Sequence, residues 1–216
     1  FSITNGIVQE TSVFDALPSI NVASLTSSPI ATTTASLGAN LPSTAVTGDN
    51  FSLSSQTLDK QGGEHTTTFV YTKTATANQW DVTATVSNAS FVDPDSNNDG
   101  ASTDAALIAG TTATRLGTIT FAADGLLASV TANTAVGDIA TVNASNELVF
   151  DIDYDNILAT GATDDRVTLT VNQGTVGLDD GFTQFAGTFV PNFITPNGRQ
   201  FGSATGIAIA ASGIIG

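Results

Sequence analysis

Trp80-Asp81-Val82-Thr83-Ala84-Thr85-Val86 alternates apolar and polar side chains without a break. Successive side chains of an extended chain point to opposite faces, so Trp80, Val82, Ala84 and Val86 share one side while Asp81, Thr83 and Thr85 share the other. The stretch reads as a half-buried strand. Residues 66–74 just before it are rich in Thr, Val, Phe and Tyr, and the short connection 75–79 predicts that the two pair as an antiparallel hairpin. Working outward, residues 51–58, 118–122, 147–154, 166–172 and 205–210 carry the same β-branched and aromatic signature. Ala122-Ala123-Asp124-Gly125, Pro196-Asn197-Gly198 and Ala211-Ser212-Gly213 supply glycines for reversals that need positive φ. No segment holds a helical period over three turns. The expected fold is all-β: an antiparallel β-sandwich or barrel-like domain, with room for an inserted β subdomain.

Composition narrows the function. The 216 residues carry a formal charge of −15, from 17 Asp and three Glu against Lys60, Lys73, Arg115, Arg166 and Arg199. Five scattered cations form no basic footprint, which argues against nucleic acid as a partner. With no cysteine and only His65, neither a disulfide framework nor a thiolate or histidine metal site is expected. No apolar run is long enough to span a membrane, and no signal-type segment opens the chain. The chain begins at Phe1 and contains no Met, so it is expected to be a piece of a longer protein. Residues 1–30 mix Ser, Thr, Pro and single apolar residues without a period and read as an extended arm or linker. Residues 31–216 form the β domain. Within it, 87–114 is Asn-, Asp-, Ser- and Ala-rich and longer than a plain loop in a compact domain, which suggests an insertion or excursion.

Several polar groupings have the residue types of a site. Asp95, Asn97, Asp99 and Gly100 match the opening of a calcium loop, yet the twelfth place falls on Ala106 where a bidentate Glu closes such a shell. An Asx-rich turn is the plainer reading. Asp151, Asp153 and Asp155 alternate with Phe150, Ile152 and Tyr154, placing three carboxylates about 7 Å apart on one strand face. In water, neighbours at that spacing repel by only roughly 0.6 kcal/mol, so a wet face over a Phe/Ile/Tyr core face is expected rather than a metal ladder. Asp164-Asp165 and Asp179-Asp180 read as turn residues. His65, in Gly62-Gly63-Glu64-His65, reads as exposed turn chemistry, and no nucleophile elbow, phosphate loop or dinucleotide fingerprint accompanies it. Phe182, Phe185, Phe189, Phe193 and Phe201 are expected in core or interdomain packing. No catalytic, cofactor-binding or metal-binding residue is assigned, and no cofactor is expected.

The order of several blocks is distinctive. Asp59-x-x-Gly62-x-x-His65 is followed by a strand ending in Lys73-Thr74, a polar turn, and Trp80 opening the next strand. Thr32-Thr33-Thr34-Ala35-Ser36 precedes Asn40-Leu41; Phe121-Ala122-Ala123-Asp124-Gly125-Leu126 follows; Thr183-Gln184-Phe185 leads to Asn197-Gly198, Gly202, Gly206-Ile207 and Ser212-Gly213-Ile214. In this order the chain resembles the bacterial flagellar hook protein family over about residues 30–216. Residues 87–114 and 128–165 match that pattern poorly and suggest a larger outer domain.

The resemblance implies a β-rich middle domain of a polymerising, non-enzymatic subunit. It would face the outside of the extracellular hook, the curved joint between rod and filament. Its implied partners are other copies of the same subunit, with rod and hook–filament junction proteins met through other parts of the chain. The rival expectation is a secreted adhesin or surface-layer β domain using the 93–104 loop for calcium.

Overall fold

The computed structural model describes residues 2–4, 7–9, 26–94, 105–134, 139–157 and 165–203. The chain divides into two compact units, residues 1–28 with 202–216 and residues 29–201. In the first unit, β1 (Ser2–Thr4) pairs antiparallel with β2 (Ile7–Gln9), and β3 (Thr26–Ser27) pairs with the strand Gly202–Ser203. The proposed strand 205–210 and the turn at 211–213 lie outside the described residues.

The second unit is built from β4 (Thr34–Asn40), β5 (Asn50–Leu58), β6 (Glu64–Lys73), β7 (Gln79–Val86), β8 (Ser90–Asp93) and β9 (Ala106–Ala109). It continues through β10 (Thr114–Phe121), β11 (Leu127–Ala132), β12 (Ala140–Val142), β13 (Leu148–Asp153), β14 (Arg166–Asn172) and β15 (Val190–Pro196). There is no helix among the described residues. One sheet runs β11-β10-β7-β6-β5, antiparallel throughout. The other runs β15-β4-β14-β13-β8-β9, with β12 sharing the β8 edge of β13. Its pairings are antiparallel except β4 against β14, where Thr34 to Ser36 run parallel to Thr170 to Asn172.

Alternation explains the core. The predicted hairpin is β6–β7, with Phe69 opposite Ala84 and Tyr71 opposite Val82. Trp80, Val82, Ala84 and Val86 are all buried, as their spacing requires. The inner face of the first sheet meets that of the second, where Phe69 touches Phe150 edge-on, with ring centres 6.5 Å apart. Phe150 in turn meets Phe91 of β8 at 5.8 Å. At one border Phe51 of β5 stacks on Phe189 at 4.9 Å and 16°. At the other, β11 lies beside β12. Two sheets joined at both borders give the sandwich its barrel-like character.

Segment 87–114 enters the second sheet at its ends, as strands β8 and β9, with Phe91 and Val92 buried. The Ala122–Gly125 turn forms as read, with Gly125 at φ 84°. Gly198 does not: its φ is not positive, and glycine is needed there because a Cβ would collide with the Thr32 side chain. The reversal is instead held by Asn197, whose Oδ1 accepts from the N–H groups of Thr33 (2.9 Å) and Thr34 (3.0 Å).

Candidate functional site: an acidic cluster and a neutral corner

The Leu58–Gly63 reversal is organised by Asp59. Its Oδ1 accepts from the N–H groups of Gln61 and Gly63, both at 2.8 Å, and its Oδ2 lies 3.3 Å from His65 Nε2. The other ring nitrogen, Nδ1, lies 2.9 Å from the Ser87 carbonyl. Both partners are acceptors, so each contact needs an N–H on the ring nitrogen that faces it. Burial pushes the Asp59 carboxyl up, but donation from Gly63, His65 and Gln61 outweighs it and holds the group below its ordinary value.

His65 is not the exposed turn residue expected. It lies in β6 with its side chain only 10% exposed, and its ring packs on Tyr154 at 4.3 Å. The signal was present in the alternation. His65, Thr67, Phe69, Tyr71 and Lys73 occupy every second place of β6, so the inward face set by Phe69 and Tyr71 includes His65. With both nitrogens engaged, the ring has none left to activate a hydroxyl.

The strand face carrying Asp151, Asp153 and Asp155 is not uniformly wet. Asp151 is half-buried and accepts from Thr168 Oγ1 at 2.6 Å, as on a solvated face. Asp153 is fully buried, because β13 ends there and the chain folds over it through Asn156 at φ 58°. Its Oδ1 accepts from Ile157 N–H at 3.2 Å. Its Oδ2 meets no donor among the described residues, and a proton held there makes it a donor toward Asp155. Burial first, then the Asp155 carboxyl, pushes Asp153 up to about 6.

Asp165 is likewise buried rather than an open turn residue, and its carboxyl is raised by burial and by the Asp59 charge, against the pull of Lys60 N–H. Burial pushes the Tyr154 hydroxyl up to about 12. Asp59, Asp153, Asp155 and Asp165 therefore form an acidic cluster around Tyr154 and His65, able to hold a proton. No group of three or more His, Asp or Glu side chains among the described residues is arranged to hold a metal ion. Asp95, Asn97, Asp99 and Gly100 of the calcium-like stretch, and Asp164, lie outside the described residues. Ala106 opens β9. Asp180 is the turn residue expected, accepting from Thr175 N–H and Oγ1, both at 2.7 Å.

A second feature lies on the opposite border of the second sheet. No Asp, Glu, Lys or Arg occurs in residues 29–48 or 181–198, the runs that hold β4 and β15. Asn40 joins them: its Oδ1 accepts from Phe185 N–H (2.8 Å) and Thr183 Oγ1 (3.2 Å), and its Nδ2 donates to the Thr188 carbonyl (3.2 Å). Ser43 N–H donates to the Phe185 carbonyl at 3.1 Å. Of the five phenylalanines expected in packing, Phe182 is fully buried and Phe189 partly so. Phe185 and Phe193 are instead 43% and 38% exposed, and Phe201 60%. The Phe193 ring lies over Gly38, where a Cβ would strike it. β15 has one partner, β4, among the described residues. Together with Val190, Phe185 and Phe193 give this corner an apolar surface, while exposed Val46 sits beside the Asp49 carboxylate, which accepts from its N–H at 2.9 Å.

Comparison with protein families matches residues 24–199 to the model described as the flagellar basal body protein FlaE D2 domain. That span includes both sheets of the second unit. Comparison with curated proteins gave no match. Among solved structures, the chain is similar to a 32 kDa fragment of the flagellar hook protein FlgE from Caulobacter crescentus, at 18% identity and a TM-score of 0.44. The similarity covers 71% of this chain and 48% of that one, so the chain spans about half the length of that fragment.

Proposed function

Because the chain belongs to the family of flagellar basal body protein FlaE D2 domains, we propose that it is the β-rich, outward-facing part of a structural subunit of the bacterial flagellar hook. The observation that carries the reading is the family match across 24–199, which takes in every strand of the two-sheet unit. In this reading residues 1–30 are an arm leading into a hook-type domain of residues 31–216, with 87–114 and 128–165 as its enlarged portions. The partners are other copies of the subunit in a tubular polymer, with rod and hook–filament junction proteins reached through the rest of the subunit. The place of action is outside the cell, and the role is mechanical rather than catalytic.

Polar strand faces suit that role. Ser54, Gln56, Thr68 and Thr168 project from the sheets as short uncharged groups, and small wet contacts of this kind permit several registers where a large apolar interface locks one. The test is immunogold labelling of isolated flagella with attached basal bodies, using antibody raised against this chain. Gold confined to the short curved segment is the expected result. Label over the cell envelope with bare hooks overturns the reading and promotes a secreted adhesin or surface-layer domain.

A further inference from the structure

The chain segregates its charge. All 20 acidic residues lie outside residues 29–48 and 181–198, and those two runs fold against each other as β4 and β15 with their flanking loops. Two copies of a chain of charge −15 repel over most of their surfaces, which keeps such a chain monomeric. Along β4 and β15 carboxylates are sparse, with Asp49 beside Val46 and Asp124 next to Gly125 at the margin, and apolar surface is available: Val190 is 48% exposed, Phe185 43% and Phe193 38%. Exposed apolar side chains gathered in one place mark contact surfaces.

The edge itself excludes one mode of association. Pro191 and Pro196 lack N–H groups, and the register against β4 is broken between Pro191 and Phe193, so β15 is a poor template for adding another strand. What it offers is side chains. The Phe185 ring abuts Gly125 and the Phe193 ring lies on Gly38, so both are seated in place before any partner arrives.

We propose that this charge-poor corner, with Phe185, Val190 and Phe193 at its centre, is the surface through which one copy of the chain touches a second. The proposal rests on the hook-subunit reading for its setting, because a patch this small gives weak association between free molecules and gains its effect where copies are held side by side at high effective concentration. Since the rest of the surface repels, association strengthens as salt is added.

The absence of cysteine makes the test clean. Phe193→Cys provides a single attachment point for a benzophenone maleimide, with Ser145→Cys on the exposed 143–146 turn as comparison. On ultraviolet exposure, the label at 193 is expected to yield covalent dimer that grows with protein concentration. Dimer should increase several-fold as sodium chloride rises from about 0.01 to about 0.15 M, over which the screening length falls from about 30 to about 8 Å. The joined peptides should lie within residues 29–48 or 181–198 of the second copy, and Ser145→Cys should give several-fold less. Equal yields from both positions overturn the proposal, as does dimer that diminishes with salt. So does a label at 193 that joins only residues 10–25 or 204–216 of its own chain. If Phe193→Cys fails to fold by circular dichroism, Val190→Cys replaces it with the same expectations. Labelled hooks without cross-linked dimer discard this contact and leave the hook reading standing, whereas bare hooks discard that reading.

Discussion

The indole Nε1 of Trp80 donates to the side-chain Oε1 of Gln184 at 2.9 Å, with both residues buried and 104 positions apart in the chain. A buried Trp N–H needs an acceptor, and this one arrives on the segment that crosses from β14 to β15. Gln184 is committed on its other side as well, donating from Nε2 to Asn78 Oδ1 at 3.1 Å, while its own N–H donates to the Gly125 carbonyl at 2.7 Å. One residue thus ties the turn before β7, through its side chain, and the turn after β10, through its backbone N–H, to the segment leading into β15. Gln184→Leu keeps the volume but leaves the Trp80 N–H unpaired, and the expected cost is about 1–3 kcal/mol in urea unfolding. Trp80→Phe in the Gln184→Leu background should recover part of the loss, because the unpaired donor is gone.

Stability should depend on pH in two opposite ways. The folded-state value of Asp153 is raised to about 6, above the ordinary carboxyl range, so its stabilising effect is fully present below about pH 4 and is lost as pH rises toward 6. Asp59 is displaced downward, so its contribution is present above about pH 4 and is lost as pH falls through its folded-state value. Urea midpoints measured from pH 3 to 8 should therefore decline between pH 4 and 6. Asp153→Asn should remove the Asp153 part of that decline, leaving the part due to Asp165, which is also raised, and should make the variant more stable than the parent at pH 7 by roughly 2 kcal/mol. An unchanged slope in this variant would show that Asp153 is not the titrating group.

Lys73 holds the turn of the central hairpin. It is buried, and its Nζ donates to the carbonyls of Thr74 (2.8 Å) and Thr76 (2.7 Å), groups the tight turn leaves without strand partners. Burial lowers the ammonium's pKa, so the two carbonyls are what keep a charged group acceptable there. Lys73→Met should cost about 1–3 kcal/mol and speed amide exchange at Thr74 and Gln79 more than elsewhere in β6 and β7.

Asn40 determines whether the neutral corner keeps its shape. Asn40→Ala removes the acceptor for Phe185 N–H and the donor to Thr188, with an expected loss of about 1–2 kcal/mol. Amide exchange should rise in residues 185–193 while Trp80 fluorescence stays native. Loss of both signals together would place Asn40 in the global core instead.

The strands were legible because a half-buried strand has a period of two, and most elements of this domain are half-buried. Residues 80–86, 66–74 and 166–172 show it plainly, and the short 75–79 link left only an antiparallel hairpin. Which strands share a sheet was not legible, since a parallel pair such as β4–β14 joins residues more than a hundred positions apart with no turn to announce it. His65 and Asp153 differ from their expected exposure for different reasons: His65 holds an inward place of β6 and meets Tyr154 from a distant part of the chain, whereas Asp153 lies on the outward face and is covered by the turn that follows it, residues 154–157. Phe185 and Phe193 erred in the other direction. Their spacing matched packing positions, but Phe193 is on β15, which pairs only with β4 among the described residues, and Phe185 is on the loop leading to it.

The position of β4 carries a consequence for how the domain reaches its fold. This early strand lies between β14 and β15, so both its neighbours are synthesised more than a hundred residues later. The β5–β6–β7 meander closes through short turns and can condense while the chain is still growing, but the second sheet must wait until residues 166–196 exist. Pairings of such long sequence separation are slow to form because loop-closure entropy is spent before contacts return it. The domain should fold in two stages, a fast local meander followed by a slow capture of the waiting β4, and a chain halted before residue 166 should remain a half-assembled intermediate with a sticky, unsatisfied strand.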